Sequence, residues 1–292
     1  MAWLQLRVHT QYPEFADEVL TAAGAVAISF VDAEDEPVLE PGPGETPLWR
    51  NTVTIGLFAE QADVDAVTAA LREQLPDGEV LQLTRELVED QDWVRVWLRD
   101  CPPMKFGERL WVCPREKAVS EPGAVTLLLD PGLAFGTGTH PSTGLCLSWL
   151  SAQELTGWQV LDYGCGSGIL AIAACLLGAA HAVAYDIDPQ AITATLDNAA
   201  VNGVAGRVTT VAPEEQVVAF GADLVLANIL ARPLIELAPR LADCTRIGGH
   251  IVLAGLLDRQ ADEVRAAYAP WFKFEPDVTQ EGWTRLSGIR QR

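Results

Sequence analysis

The sequence predicts an α/β protein in which a doubly wound, Rossmann-like sheet follows a smaller α+β domain, and three observations predict it. The chain has 292 residues, room for two domains of the ordinary ~100 to 200 residues each. Residues 1–88 carry elements in the order βαββαβ, the split pattern of a ferredoxin-like sandwich. From about residue 123 strands alternate with helices, which requires a parallel sheet covered on both faces. A composition of 49% hydrophobic and 21% charged residues excludes disordered, collagenous and coiled-coil classes.

In the first domain, Trp3 to His9 alternates as a strand, and Glu14 to Ala23 has helical spacing that Gly24 ends. Ala25 to Val31 forms a second strand before an acidic loop rich in Pro and Gly from Asp32 to Leu48. Thr52 to Phe58 places Val53, Ile55 and Leu57 on one face, Ala62 to Leu75 is helical, and after Pro76-Asp77-Gly78 a strand runs from Glu79 to about Val88. Residues 89–122 read as a connecting segment. It opens with a helix that brings Trp93 and Trp97 onto one face and continues as a hairpin across Gly107-Glu108.

The third segment, 123–292, begins near Val125 and supplies a helix at Thr139 to Ser151 and seven strands: Gln159 to Tyr163, Ala182 to Asp186, Arg207 to Val211, Leu224 to Asn228, His250 to Ala254, and late strands near Phe272 and Trp283. Helices Gly168 to Leu177, Pro189 to Asn202, Leu234 to Leu241 and Asp258 to Tyr268 lie between them. Tyr163 to Tyr185 carries no charged residue over 23 positions, about a membrane-spanning length, but four glycines interrupt it. A buried strand, loop, helix and strand account for those glycines.

Charge and cysteine narrow the function. The net charge of −20 opposes approach to nucleic acid or anionic lipid and favours a basic partner. Residues 1–88 hold four Arg against sixteen Asp and Glu, so more than half of the excess is N-terminal. An acidic surface suited to a salty cytoplasm explains the same numbers. Six cysteines without a C-x-x-C pair indicate neither a zinc site nor a disulfide framework, and no metal site is expected. The N-terminus lacks the basic start and apolar run of a signal peptide, so a cytoplasmic location is expected.

Ligands of such sheets sit beyond the carboxyl ends of the strands. The first strand leaves through Asp162-Tyr-Gly164-Cys-Gly166-Ser-Gly168, where glycines let backbone approach a ligand and a helix N-terminus attracts negative charge. A dinucleotide fingerprint needs glycine where Ile169 stands. The next strand ends on Asp186, 22 residues after Gly164, where a carboxylate can accept both hydroxyls of a ribose. Asp188, ahead of Pro189, supplies the helix cap and leaves Asp186 for ligand. Asn228 sets an amide at the mouth of the same crevice, and a turn residue is its bland alternative. Gly136-Thr-Gly-Thr139 lacks the Lys of a P-loop, and His140 beside Pro141 reads as structural rather than as a general base.

An acidic residue two positions before G-x-G-x-G resembles the first motif of class I S-adenosylmethionine-dependent methyltransferases. The loop Asp130 to Thr143, the connector from Asp92-Trp93 through Met104 to Pro114, the Gly164 loop and Asn228-Ile-Leu are together similar to the PrmA-type methyltransferases of the eleventh large-subunit ribosomal protein, over the whole chain. The resemblance implies a substrate-recognition domain at 1–88, a connector, and a methyltransferase domain at 123–292. It implies methylation of amino groups of that ribosomal protein, Lys side chains or the α-amine, with S-adenosylmethionine as cofactor. Thr143, Gly164, Asp186 and Asn228 fall where the family contacts the cofactor, Gly166 belongs to the same turn, and Asn228 would position the acceptor amine. Ser142 and Arg232 depart from the Thr and Gly expected, and Arg232 brings a cation near a site meant for amines. Methylation of another protein or a small amine shares the cofactor features, a non-catalytic ribosome-binding protein is a second alternative, and a dehydrogenase, weakened at Ile169, is the third.

Overall fold

A computed structural model describes residues 2–34, 48–49, 51–74, 82–89, 102–119, 121–129, 138–212, 214–215 and 217–292. The chain divides into two compact units, 1–92 and 93–292.

The first unit contains β1 (Ala2–His9), α1 (Pro13–Ala22), β2 (Ala27–Asp32), β3 (Thr52–Ala59), α2 (Val64–Gln74) and β4 (Gln82–Glu89). Its sheet has the order β2-β3-β1-β4 with antiparallel pairs throughout, the ferredoxin-like arrangement. Alternation in β1 sends Leu4, Leu6 and Val8 into a core with Val19 and Leu20 of α1 and Val67 and Leu71 of α2. Each such side chain contributes about 1.5–3 kcal/mol on burial.

The second unit opens with a small sheet in which β5 (Met104–Phe106) pairs antiparallel with β6 (Leu110–Cys113), and β6 pairs in parallel with β7 (Val125–Leu128). The expected hairpin across Gly107 is present, and the β6–β7 pairing crosses the boundary expected at 122. Arg109 ties this sheet to the next helix, donating to the carbonyls of Ser151 (3.2 Å) and Gln153 (2.7 Å). The described part of the connector is therefore joined to the second unit, while its expected Trp93/Trp97 helix lies outside the described residues.

The main sheet follows: α3 (Pro141–Ser151), β8 (Gln159–Tyr163), α4 (Ile169–Leu176), β9 (His181–Tyr185), α5 (Pro189–Val201), β10 (Val208–Val211), β11 (Ala222–Asn228), α6 (Ala231–Cys244), β12 (Thr245–Leu257), α7 (Ala261–Tyr268), β13 (Phe272–Phe274), β14 (Val278–Gln280) and β15 (Trp283–Arg290). The order β10-β9-β8-β11-β12-β15-β13 accounts for the seven expected strands, and β14 is an unforeseen eighth paired with β15. The five strands from β10 to β12 are mutually parallel. β15 enters antiparallel between β12 and β13, so the sheet is mixed rather than all parallel. The crossover through α7 sets β13 down one strand away from β12, and the hairpin return of β15 fills the gap.

The uncharged stretch 163–185 is the end of β8, a glycine turn, α4 and β9. Ile169, Leu170 and Ile172 are at most 3% exposed, because α4 is covered on every side and needs no polar face. No described helix is long and apolar enough to cross a membrane.

Candidate active site

Strand order reverses at β8, with β9 and β10 on one side and β11 to β13 on the other. The carboxyl ends of β8, β9 and β11 meet there, at the switch point where open α/β sheets hold ligands. A cavity of about 560 Å³ occupies this position, within the 300–1,000 Å³ usual for small-molecule sites. Gly164, Gly166, Asp186 and Asn228, all expected from the sequence, line it.

Backbone hydrogen bonds set the floor. The amides of Gly164 (2.8 Å) and Cys165 (3.0 Å) donate to the Tyr185 carbonyl, which pins the glycine turn to the end of β9. Gly164 holds φ +80°, a conformation that side chains other than glycine reach only with strain. A Cβ there would lie 2.2 Å from Cγ2 of Ile229, so the turn requires glycine on both counts.

Asp186 is half-buried and already in use. Its Oδ2 accepts from the Gly166 amide at 2.9 Å and its Oδ1 from the Asp188 amide at 3.0 Å. Each carboxylate oxygen has two lone pairs, so one acceptor position per oxygen remains for a pair of hydroxyls. Asp188 caps α5 as expected, accepting from Gln190 at 2.8 Å.

Asn228 ends β11 with its amide on the cavity wall, where Nδ2 donates to Thr143 Oγ1 at 3.1 Å. Thr143 is 1% exposed and is absent from the lining, so the structure places it behind Asn228. His140 both lines the cavity and caps α3. Its Nδ1 lies 2.8 Å from Ser142 Oγ and accepts from the Ser142 amide at 3.3 Å. Burial holds its pKa below the ordinary histidine range and so favours the neutral ring at pH 7, while the charge of Glu281 opposes that shift. The loop from Asp130 to Thr137, central to the sequence argument, lies outside the described residues.

Sequence reasoning missed several parts of the wall, Trp283 and Gly255 among them. Trp283, at the start of β15, meets the His140 ring edge-on at 4.4 Å between centroids. Its late strand was legible, but no pattern signals that this strand returns beside β12. Gly255 also lines the cavity, and β12 extends to Leu257 instead of stopping at Ala254. Asp162 is fully buried beneath the turn, where Oδ2 accepts from Ala171 at 3.0 Å and Oδ1 has no hydrogen-bond partner among the described residues. Burial, reinforced by the charge of Asp186, pushes its pKa up to about 7 against one opposing backbone bond. Arg232, the cation that departs from the expected pattern, pairs at 3.1 Å with Glu236 one turn further along α6. Both side chains are largely exposed, and Glu236 reaches the wall of the cavity. Among the described residues, no cluster of His, Cys, Asp and Glu is suited to a metal ion.

The model of the ribosomal protein L11 methyltransferase (PrmA) family matches residues 2–291. The chain belongs to the PrmA family. A ribosomal protein L11 methyltransferase of Pseudomonas putida (strain W619) is 50% identical over 293 aligned positions, spanning both chains completely. One from Pectobacterium atrosepticum is 48% identical over 99% of each chain. The crystal structure of ribosomal protein L11 methylase from Lactobacillus delbrueckii subsp. bulgaricus superposes with a TM-score of 0.58 at 28% identity, covering 65% of this chain and 98% of that one. The doubly wound domain of this PrmA-family chain is thus a methyltransferase fold, and the dehydrogenase reading, already weak at Ile169, falls away.

Proposed function

We propose that the chain is a protein N-methyltransferase that transfers methyl groups from S-adenosylmethionine to amino groups of ribosomal protein L11, on Lys side chains, the N-terminal α-amine, or both. One observation carries this reading: Asp186 and Asn228, from strands on opposite sides of the switch point, face one cavity in a chain matched end to end by the PrmA family. When bound, S-adenosylmethionine supplies a methyl group activated by a positively charged sulfur.

The residues present fit that group. Asp186 offers two remaining acceptor positions to the ribose hydroxyls, and Gly164 and Gly166 let the backbone come close. Thr143 acts from behind the wall by holding the Asn228 amide, and Asn228 aims the acceptor nitrogen. An in-line displacement asks mainly for this positioning, which is worth about 7–11 kcal/mol.

Acceptor deprotonation is the harder requirement. A free lysine with pKa about 10.4 is only about one part in two thousand neutral at pH 7, whereas an α-amine near 7.7–8.0 is roughly a tenth neutral. A partly desolvated crevice shared with a cationic sulfur lowers either value and raises the reactive fraction. No obligatory base is needed on this account, and the His140 nitrogen facing α3 is engaged with Ser142.

The N-terminal domain is assigned to substrate recognition. Its surplus of Asp and Glu suits a basic ribosomal protein better than nucleic acid or a membrane, because complementary charge speeds and orients encounter. A cytoplasmic location, where that substrate is made, follows from this reading. The test is to incubate the enzyme with S-adenosylmethionine and a mixture of unmethylated ribosomal proteins and record intact masses. One protein gaining several methyl masses, and none with Asp186→Ala, is expected. No mass gain anywhere, despite cofactor binding, would move the assignment to another acceptor.

A further inference from the structure

Asn228 pairs in parallel with Ala254 of β12. Immediately beyond, the register of β12 against β15 shifts between Leu253 and Leu256, and Gly255 at that irregularity holds φ +80°. A Cβ on Gly255 would lie 2.5 Å from the carbonyl oxygen of Ile229, 2.8 Å from its carbonyl carbon and 2.9 Å from its nitrogen. These are backbone atoms, with no rotamer through which to retreat. From the other side, a Cβ on Gly164 would meet the Ile229 side chain at 2.2 Å. The residue after Asn228 is therefore clamped between glycines at the ends of β8 and β12, and all three line the cavity.

We propose that Gly255 is a positioning residue for methyl transfer: its missing side chain lets β12 bulge against the Ile229 peptide and so fixes where Asn228 presents its amide. Irregularities of this kind beside active sites commonly re-aim a neighbouring side chain. The inference rests on the proposed role of Asn228. To accept a Cβ at 255, the Ile229 peptide must withdraw from 2.5 Å to ordinary contact at 3.4 Å or more. That is a displacement of about 1 Å at the residue next to Asn228, and a misplacement of this size costs on the order of 100-fold in rate when reacting atoms must sit about 3–3.5 Å apart.

The test compares the full-length enzyme with Gly255→Ala, Asn228→Ala and the double variant. It measures kcat and KM with unmethylated ribosomal protein L11, the Kd for S-adenosylhomocysteine by calorimetry, and Tm. Gly255→Asn serves as a second probe, since Asn tolerates positive φ better than Ala while bearing the same Cβ. For either Gly255 variant we expect kcat to fall by about 100-fold, with Kd and KM within about threefold, and Gly255→Ala to cost about threefold or less once Asn228 is already Ala. An unchanged kcat, an equal loss of S-adenosylhomocysteine affinity, or an undiminished cost in the Asn228→Ala background would each overturn the inference. If Asn228→Ala itself keeps full turnover, the assignment of Asn228 fails and this inference with it. If Asn228→Ala is slow and the Gly255 variants are fast, the positioning inference alone fails.

Discussion

Asp186→Asn is the most informative single change, because the carboxylate holds four acceptor positions and the chain itself occupies two. Gly166 and Asp188 each donate a backbone amide to a different oxygen, at 2.9 and 3.0 Å. An asparagine keeps one oxygen and replaces the other with a donor, so one backbone amide must face an NH₂ group. The ribose likewise loses an acceptor and a negative charge. Hydrogen bonds to a charged group contribute about 1.5–3 kcal/mol each, so two ribose hydroxyls draw about 3–6 kcal/mol from Asp186. Loss of one of them alone corresponds to a roughly 10- to 150-fold weaker complex. The misfit with Gly166 or Asp188 adds to this by loosening the glycine turn. Calorimetric titration with S-adenosylhomocysteine measures the effect directly. We expect Asp186→Asn to weaken binding by at least about tenfold, Asp186→Ala by more, and Tm to change by only a few degrees, since Asp186 is only half-buried. Binding within threefold of wild type for both variants would refute the ribose assignment.

Thr143→Val keeps the shape of the buried side chain but removes the partner of Asn228. At about 0.5–1.5 kcal/mol for one neutral hydrogen bond, kcat is expected to fall about 2- to 13-fold with cofactor affinity retained, and steady-state kinetics decide. Raising salt from 0.1 to 1 M shortens the Debye length from about 10 to 3 Å. Methylation of the ribosomal protein should slow more than S-adenosylhomocysteine binding weakens, and equal sensitivity would return the acidic N-terminal domain to a role in solubility. Burial raises the folded pKa of Asp162 to about 7, well above the ordinary aspartate range. Folding then favours its protonated form, and its contribution to stability is present below the ordinary value and lost as pH rises toward the raised one. The slope is on the order of 1.4 kcal/mol per pH unit between them. Denaturant melts from pH 4 to 8 should show that slope in wild type and its absence in Asp162→Asn.

Much of the fold was legible because its signals are local. Period-two alternation in residues 3–9 and the apolar run of α4 needed no tertiary information, and both elements stand where they were expected. The mixed character of the sheet was not legible, because the direction of β15 depends on a hairpin closed by β14, and three residues carry no periodicity. The site divides in the same way. Gly164, Asp186 and Asn228 each leave a strand at a position that topology assigns to ligands. Trp283 reaches the cavity through the pairing of β15 with β12 and Gly255 through the pairing of β12 with β11, contacts between residues tens of positions apart. The burial of Thr143 behind Asn228 is a matter of packing that sequence does not express.

The bonding of Asn228 also bears on how many methyl groups one nitrogen can receive. Nδ2 has one hydrogen on Thr143, and Oδ1 is the atom of the amide that can accept an N–H from an incoming amine. A neutral primary amine brings two N–H groups, so one can bind Oδ1 while the lone pair faces the methyl donor. A monomethyl amine brings one, which still suffices. A dimethyl amine brings none, so a third transfer proceeds without this contact, and its alignment then depends on the walls of the cavity, where the Trp283 and His140 rings meet edge to face. On the role proposed for Asn228, the amide would orient the first two transfers, and shape alone would govern any third.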